Sequence, residues 1–70
     1  MSKKSYLVEN DDLSVAYSYE RSTAIDRAKD LSRENYGTLM IVRHQARIHP
    51  DVICYDGIVY EACNIAEHGE

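Results

Sequence analysis

Val52-Ile53-Cys54-Tyr55-Asp56-Gly57-Ile58-Val59-Tyr60-Glu61-Ala62-Cys63 is the stretch that decides the fold. Two runs rich in β-branched and aromatic residues flank an Asp-Gly pair. Asp-Gly suits the positive φ angles of a tight two-residue turn, so the stretch reads as a β-hairpin. The loop length sets the register: Tyr55 opposes Ile58, Cys54 opposes Val59, and Ile53 opposes Tyr60. Side chains alternate across a strand, so Ile53, Tyr55, Ile58, Tyr60 and Ala62 share one face. Val52, Cys54, Val59, Glu61 and Cys63 share the other. Both faces are largely apolar.

Working outward, Thr38-Leu39-Met40-Ile41-Val42 is a continuous apolar run, read as a central strand buried on both faces. Arg43 to His49 either extends that strand or forms an exposed loop. Pro50 has no N–H for a ladder and belongs at the start of the next strand. Before the apolar run lies a helix. Thr23-Ala24-Ile25-Asp26 fits a capping box opened by Ser22 or Thr23. Ala24, Ile25, Ala28 and Leu31 form an apolar stripe at helical spacing, with Tyr36 extending it. Gly37 ends the helix. Upstream, Tyr6-Leu7-Val8 is a short strand and Asn10-Asp11-Asp12 a turn cluster. Leu13 to Tyr19 alternates with period 2, placing Leu13, Val15, Tyr17 and Tyr19 on one side of a second strand.

The order is β-β-α-β-β-β. The expected fold is α+β: one helix on one face of a mostly antiparallel sheet of four to five strands. A chain of 70 residues makes one domain, spanning residues 1–70, with an ordered core over about 5–65. A helix of about 13 residues is roughly 20 Å long and covers one sheet face only. A chain this small buries only about 60% of its unfolded surface, and its stability is on the order of 4–10 kcal/mol. That leaves little to hold a strained, water-excluding active site.

Composition narrows the function. Apolar residues are 44% and charged residues 29%, which is globular. The net charge of −4 argues against a general nucleic-acid binder. Acidic residues interrupt the N-terminal segment before any apolar leader forms, and no run reaches membrane-span length. With two cysteines, the expectation is a cytoplasmic protein with free thiols. Six tyrosines supply all the aromatic surface, since Phe and Trp are absent.

Chemistry-bearing patterns are sparse. The three glycines are isolated, so no phosphate loop is present. His44, His49, Cys54 and Cys63 are spaced too widely for a typical zinc site. Cys54 and Cys63 share one face of the hairpin but lie several residues apart along its ladder, too far for a disulfide. Neither thiol has an activating neighbour in sequence. No metal, no cofactor and no enzymatic activity are expected. Arg43, His44, Arg47 and His49 form a cationic segment in an acidic chain, a candidate contact for an anion or partner. Tyr55 and Tyr60 are the other candidates if theirs is the sheet face that the helix leaves open; Val59 and Cys63 take their place if the faces are reversed. Tyrosine suits half-wet interfaces.

The strand pair, the helix ending near Gly37-Thr38-Leu39-Met40, and the Asp-Gly hairpin closing in Cys63 resemble, in order and spacing over residues 5–63, small phage anti-CRISPR proteins. In particular they are similar to a type I-F inhibitor built as one helix on a five-stranded antiparallel sheet. The resemblance implies a stoichiometric inhibitor in the host cytoplasm that binds a multisubunit surveillance complex and blocks target-DNA hybridisation. Arg43, Arg47 and the tyrosines are the residues that match its basic and aromatic contact chemistry. The expected function is therefore non-enzymatic binding of a host protein complex. The alternatives are an anion- or nucleic-acid-binding domain using Arg43, Arg47 and His49, or a homodimeric accessory protein.

Overall fold

The computed structural model describes residues 4–10, 12, 14, 15 and 17–62. Strands β1 (Tyr6–Glu9) and β2 (Ser18–Tyr19) precede helix α1 (Arg21–Glu34). Strands β3 (Met40–His44), β4 (Val52–Tyr55) and β5 (Ile58–Glu61) follow. They form one antiparallel sheet in the order β2-β1-β3-β4-β5. This is the expected α+β architecture, with the helix against one face.

The hairpin takes the register read from its sequence: Ile53–Tyr60, Cys54–Val59 and Tyr55–Ile58 are paired. Asp56 has φ +57° and Gly57 φ +77°, the two positive angles of a type I′ turn. Strand β5 ends at Glu61, however, and the buried Ala62 follows it rather than joining the Tyr60 face. Cys63 and the polar tail lie outside the described residues.

The helix stripe lands on the sheet. Ala24, Ala28 and Leu31 are buried, Ile25 packs beside them, and Val8, Met40, Val42, Val52 and Cys54 meet them from β1, β3 and β4. Two alanines on the inner stripe bring the helix axis close to the sheet. Tyr36 does not extend the stripe. It follows the C-cap Asn35 with φ +60° and is 99% exposed. Gly37, at φ +78°, completes the stop, and its N–H donates to the Ser32 carbonyl at 2.7 Å.

Three further expectations need correction. The helix starts at Arg21 rather than at a Ser22 or Thr23 cap, with Glu20 as N-cap and no side-chain cap bond. The Glu20 carbonyl accepts the Ala24 N–H at 2.8 Å, and Arg21 is anchored to Asp51 at 2.7 Å. The second strand is shorter than the alternation from Leu13 to Tyr19 implied. The Asp12 N–H donates to the Asn10 side chain and the Ser14 N–H to the Asn10 carbonyl, so both are engaged by Asn10 rather than by a ladder, and Ser14 has φ +52°. Tyr17 is 67% exposed and does not share the half-buried side with Val15 and Tyr19. Leu13 lies outside the described residues. Finally, β3 is central in the sheet but not buried on both faces. Met40 and Val42 are fully buried under the helix, while Ile41 on the opposite side is half-buried.

Candidate functional site

Strand parity divides the sheet's residues between two faces. The helix covers the side of Val8, Met40, Val42, Val52 and Cys54. The opposite side carries Leu7, Ile41, Ile53, Tyr55, Ile58 and Tyr60. The register lines several of these up: Glu9 opposes Ile41, Ile41 opposes Ile53, and Ile53 opposes Tyr60. Tyr55 and Ile58 form the adjoining pair. A continuous apolar row therefore crosses three strands, ending in a charge at Glu9. Its hairpin end is open to solvent: Tyr55 is 49%, Ile58 54% and Tyr60 43% exposed.

The cationic segment is split by the same parity. Arg43 points to the open face, where its Nε donates to Glu9 Oε2 at 2.7 Å and its Nη1 donates to the Ile48 carbonyl at 2.5 Å. Its charge is partnered on the strand beside it, and its fork also holds the following loop. His44 points to the helix side. Its ring meets Tyr6 edge-on with centroids 4.8 Å apart, and its Nδ1 accepts the Ala46 N–H at 3.2 Å. Arg47 and His49 are exposed in the loop after β3. Arg47 reaches Asp51 at 3.6 Å, and Asp51 is already engaged by Arg21. The Asp51 hydrogen bond raises the Arg21 pKa further above its ordinary value. The structure thus groups Tyr55 and Tyr60 with each other, leaves Arg43 at the far side of their face, and separates His44 from all three.

Sequence reading missed Leu7 and Ile41 as members of this face, and Ile48, which is 86% exposed in the loop held by Arg43. Parity within Tyr6-Leu7-Val8 carried the signal for Leu7. Ile41 was hidden by the expectation of two-sided burial.

Nucleophilic chemistry finds no assembled site around Cys54. The thiol is fully buried, and burial pushes its pKa up, with the Gly57 backbone and Ser32 hydroxyl opposing weakly. Its cross-strand partner Met40 is separated from His44 by four positions on β3, roughly 13 Å along a strand. Among the described residues, no three His, Cys, Asp or Glu side chains converge on a metal position, and no helix is long and apolar enough to cross a membrane.

The fold and its open face define a small α+β domain whose most distinctive surface is an uncovered apolar sheet. No family model matches the chain, and neither a curated protein nor a solved structure matches it significantly.

Proposed function

We propose that the protein is a non-enzymatic binding module that docks a host protein through the open face of its sheet. The observation that carries this reading is the row Ile41–Ile53–Tyr60 with its neighbours Tyr55 and Ile58. Exposed apolar groups gathered on one rigid element mark interaction sites more often than scattered ones do. Tyrosine is enriched at such surfaces because its ring is buried while its hydroxyl stays wet. The Glu9–Arg43 pair lies on the same face and supplies a polar rim.

A narrower form of the proposal rests on the resemblance described above: a phage-encoded inhibitor that occupies a CRISPR surveillance complex and prevents target-DNA pairing. The test is calorimetric titration of the full chain, and of a Tyr55→Ser/Ile58→Ser variant, into a purified type I-F complex. Stoichiometric binding that the variant loses, with target-DNA binding blocked only by the parent chain, is the expected result. Target-DNA binding that the parent chain in excess leaves unblocked removes the narrower form. The broader form is tested with partners retained from host extract and then purified. If every such partner binds the natively folded variant as tightly as the parent, the open face is not the docking surface.

A further inference from the structure

The edge of the sheet at β5 leads to a separate inference, concerning backbone groups rather than the open face. The Ala62 N–H donates to the Asp51 carbonyl at 3.3 Å. The Ala62 N–H thus points at β4, while the Asp51 N–H donates to the Val42 carbonyl at 2.8 Å instead. N–H directions alternate along a strand and the pair closing a two-residue turn is hydrogen-bonded, so Ile53–Tyr60 and Tyr55–Ile58 are the bonded pairs. Val52–Glu61 and Cys54–Val59 are the non-bonded pairs. The N–H and C=O groups of Val59 and Glu61 therefore turn away from β4, off the sheet's edge.

Edge strands normally carry a guard such as Lys, Pro, a bulge or an inward charge. Ile58-Val59-Tyr60-Glu61 contains no Lys or Pro, and its pairing with β4 is unbroken by a bulge. Its one charge, Glu61, is drawn to Arg21 at 3.4 Å. The opposite edge, β2, is only two residues long.

We infer that β5 pairs antiparallel with β5 of a second copy of this chain, about a two-fold axis perpendicular to the sheet at Tyr60. The axis keeps both open faces on the same side, so parity allows Tyr60 to oppose only an open-face residue. Placing it opposite Tyr60 of the second copy sets Val59 against Glu61 of the second copy, and the reverse. Each of these symmetry-related pairs then exchanges both N–H···O=C bonds. Registers centred on Val59 use fewer of the outward groups, because Glu61 then runs past the strand into the turn at Gly57. The Tyr60 rings meet across the axis as an aromatic cross-strand pair. Glu61, already drawn to Arg21, adds little repulsion. The product is one continuous sheet of twice the width, with a single extended apolar face.

The test is sedimentation equilibrium on the full chain from micromolar to millimolar concentration, with site-directed crosslinking. Tyr60 and its copy form a non-bonded pair with Cα atoms about 4.5 Å apart, within disulfide range. A Tyr60→Cys variant in a Cys63→Ser background, where the remaining native thiol is the buried Cys54, forms a disulfide dimer on mild oxidation. The Cys63→Ser chain alone does not. Glu61→Pro removes an outward N–H and leaves the β4 ladder intact. It raises the dimer Kd by roughly tenfold or more, as loss of a backbone bond from each symmetry-related pair requires. A chain that stays monomeric throughout overturns the inference. So does a dimer that is not crosslinked through Tyr60→Cys, which would assemble by another surface. Because these readouts need no host partner, they succeed or fail independently of the docking proposal.

Discussion

Replacing Gly57 by Ala tests the hairpin turn on which the sheet is built. Gly57 sits at φ +77° beside Asp56 at φ +57°. An L-residue in that region costs about 1–2 kcal/mol because Cβ crowds the following carbonyl. The added methyl also meets Arg33, with its Cβ 2.5 Å from Arg33 Nε and 2.8 Å from Cγ. Arg33 is exposed and can swing aside, giving up a 3.5 Å surface pair with Asp30 that contributes little. The backbone term therefore dominates, for a total of about 1–2 kcal/mol. In a domain of this size each kcal/mol shifts Tm by about 4–8 °C, so the fall is roughly 4–16 °C. Thermal unfolding followed by far-UV circular dichroism reads it. Chemical synthesis of the chain with D-alanine at position 57 separates handedness from bulk, since a D-residue favours positive φ. L-Ala should destabilise and D-Ala should not. Equal melting temperatures for glycine, L-Ala and D-Ala would refute the type I′ turn.

Three further outcomes follow from the packing and the termini. Thr23→Ala leaves stability within about 0.5 kcal/mol in urea unfolding, because the helix is capped at Glu20 and Thr23 is exposed inside the first turn; a loss above 1 kcal/mol would restore the capping box. Met40→Ala costs about 2–5 kcal/mol, since Met40 is fully buried in the strand at the centre of the sheet; a change below 1 kcal/mol would mean that this strand is not under the helix. Stability also falls at alkaline pH through Cys54. Burial raises its folded-state pKa, so the unfolded thiol ionises first and the contribution is lost as pH rises above the unfolded value of about 8.5. Urea midpoints measured between neutral and alkaline pH should show a decline that Cys54→Val lessens, and an unchanged decline would place the titration elsewhere.

The elements that could be read from the sequence are those whose causes lie close along the chain. Asp56-Gly57 and its flanking residues determine a turn and a register with no help from elsewhere. The stripe Ala24, Ile25, Ala28 and Leu31 repeats within one helix. The misread boundaries depend on contacts with distant residues or on competing local bonds. Arg21 begins the helix early because Asp51 and Glu61, 30 and 40 residues away, receive its guanidinium. Period-2 alternation from residue 13 suggested a long strand, but the Asn10 side chain and carbonyl take the N–H groups of Asp12 and Ser14, and the strand is Ser18–Tyr19.

The candidate site shows the same division more sharply. Hairpin parity puts Tyr55 and Tyr60 on one face, and a helix too narrow for two faces leaves one of them open; that the helix takes the Val52 and Cys54 side is decided by packing against Val8, Met40 and Val42 from distant strands. The cationic segment looked like a unit because Arg43, His44, Arg47 and His49 are near in sequence, yet adjacent strand positions face opposite ways. Arg43 meets Glu9 from a strand 34 residues earlier, a pairing no local pattern reveals. That pairing changes the chemistry of the face. An unpaired arginine there would favour phosphate, with affinity falling steeply as salt rises. An arginine bonded to a carboxylate at 2.7 Å instead becomes a fixed polar border to an apolar row. A partner suited to this surface buries apolar side chains against Ile53, Tyr55 and Tyr60. Its binding should vary little with salt, since screening acts on exposed charge rather than on apolar area.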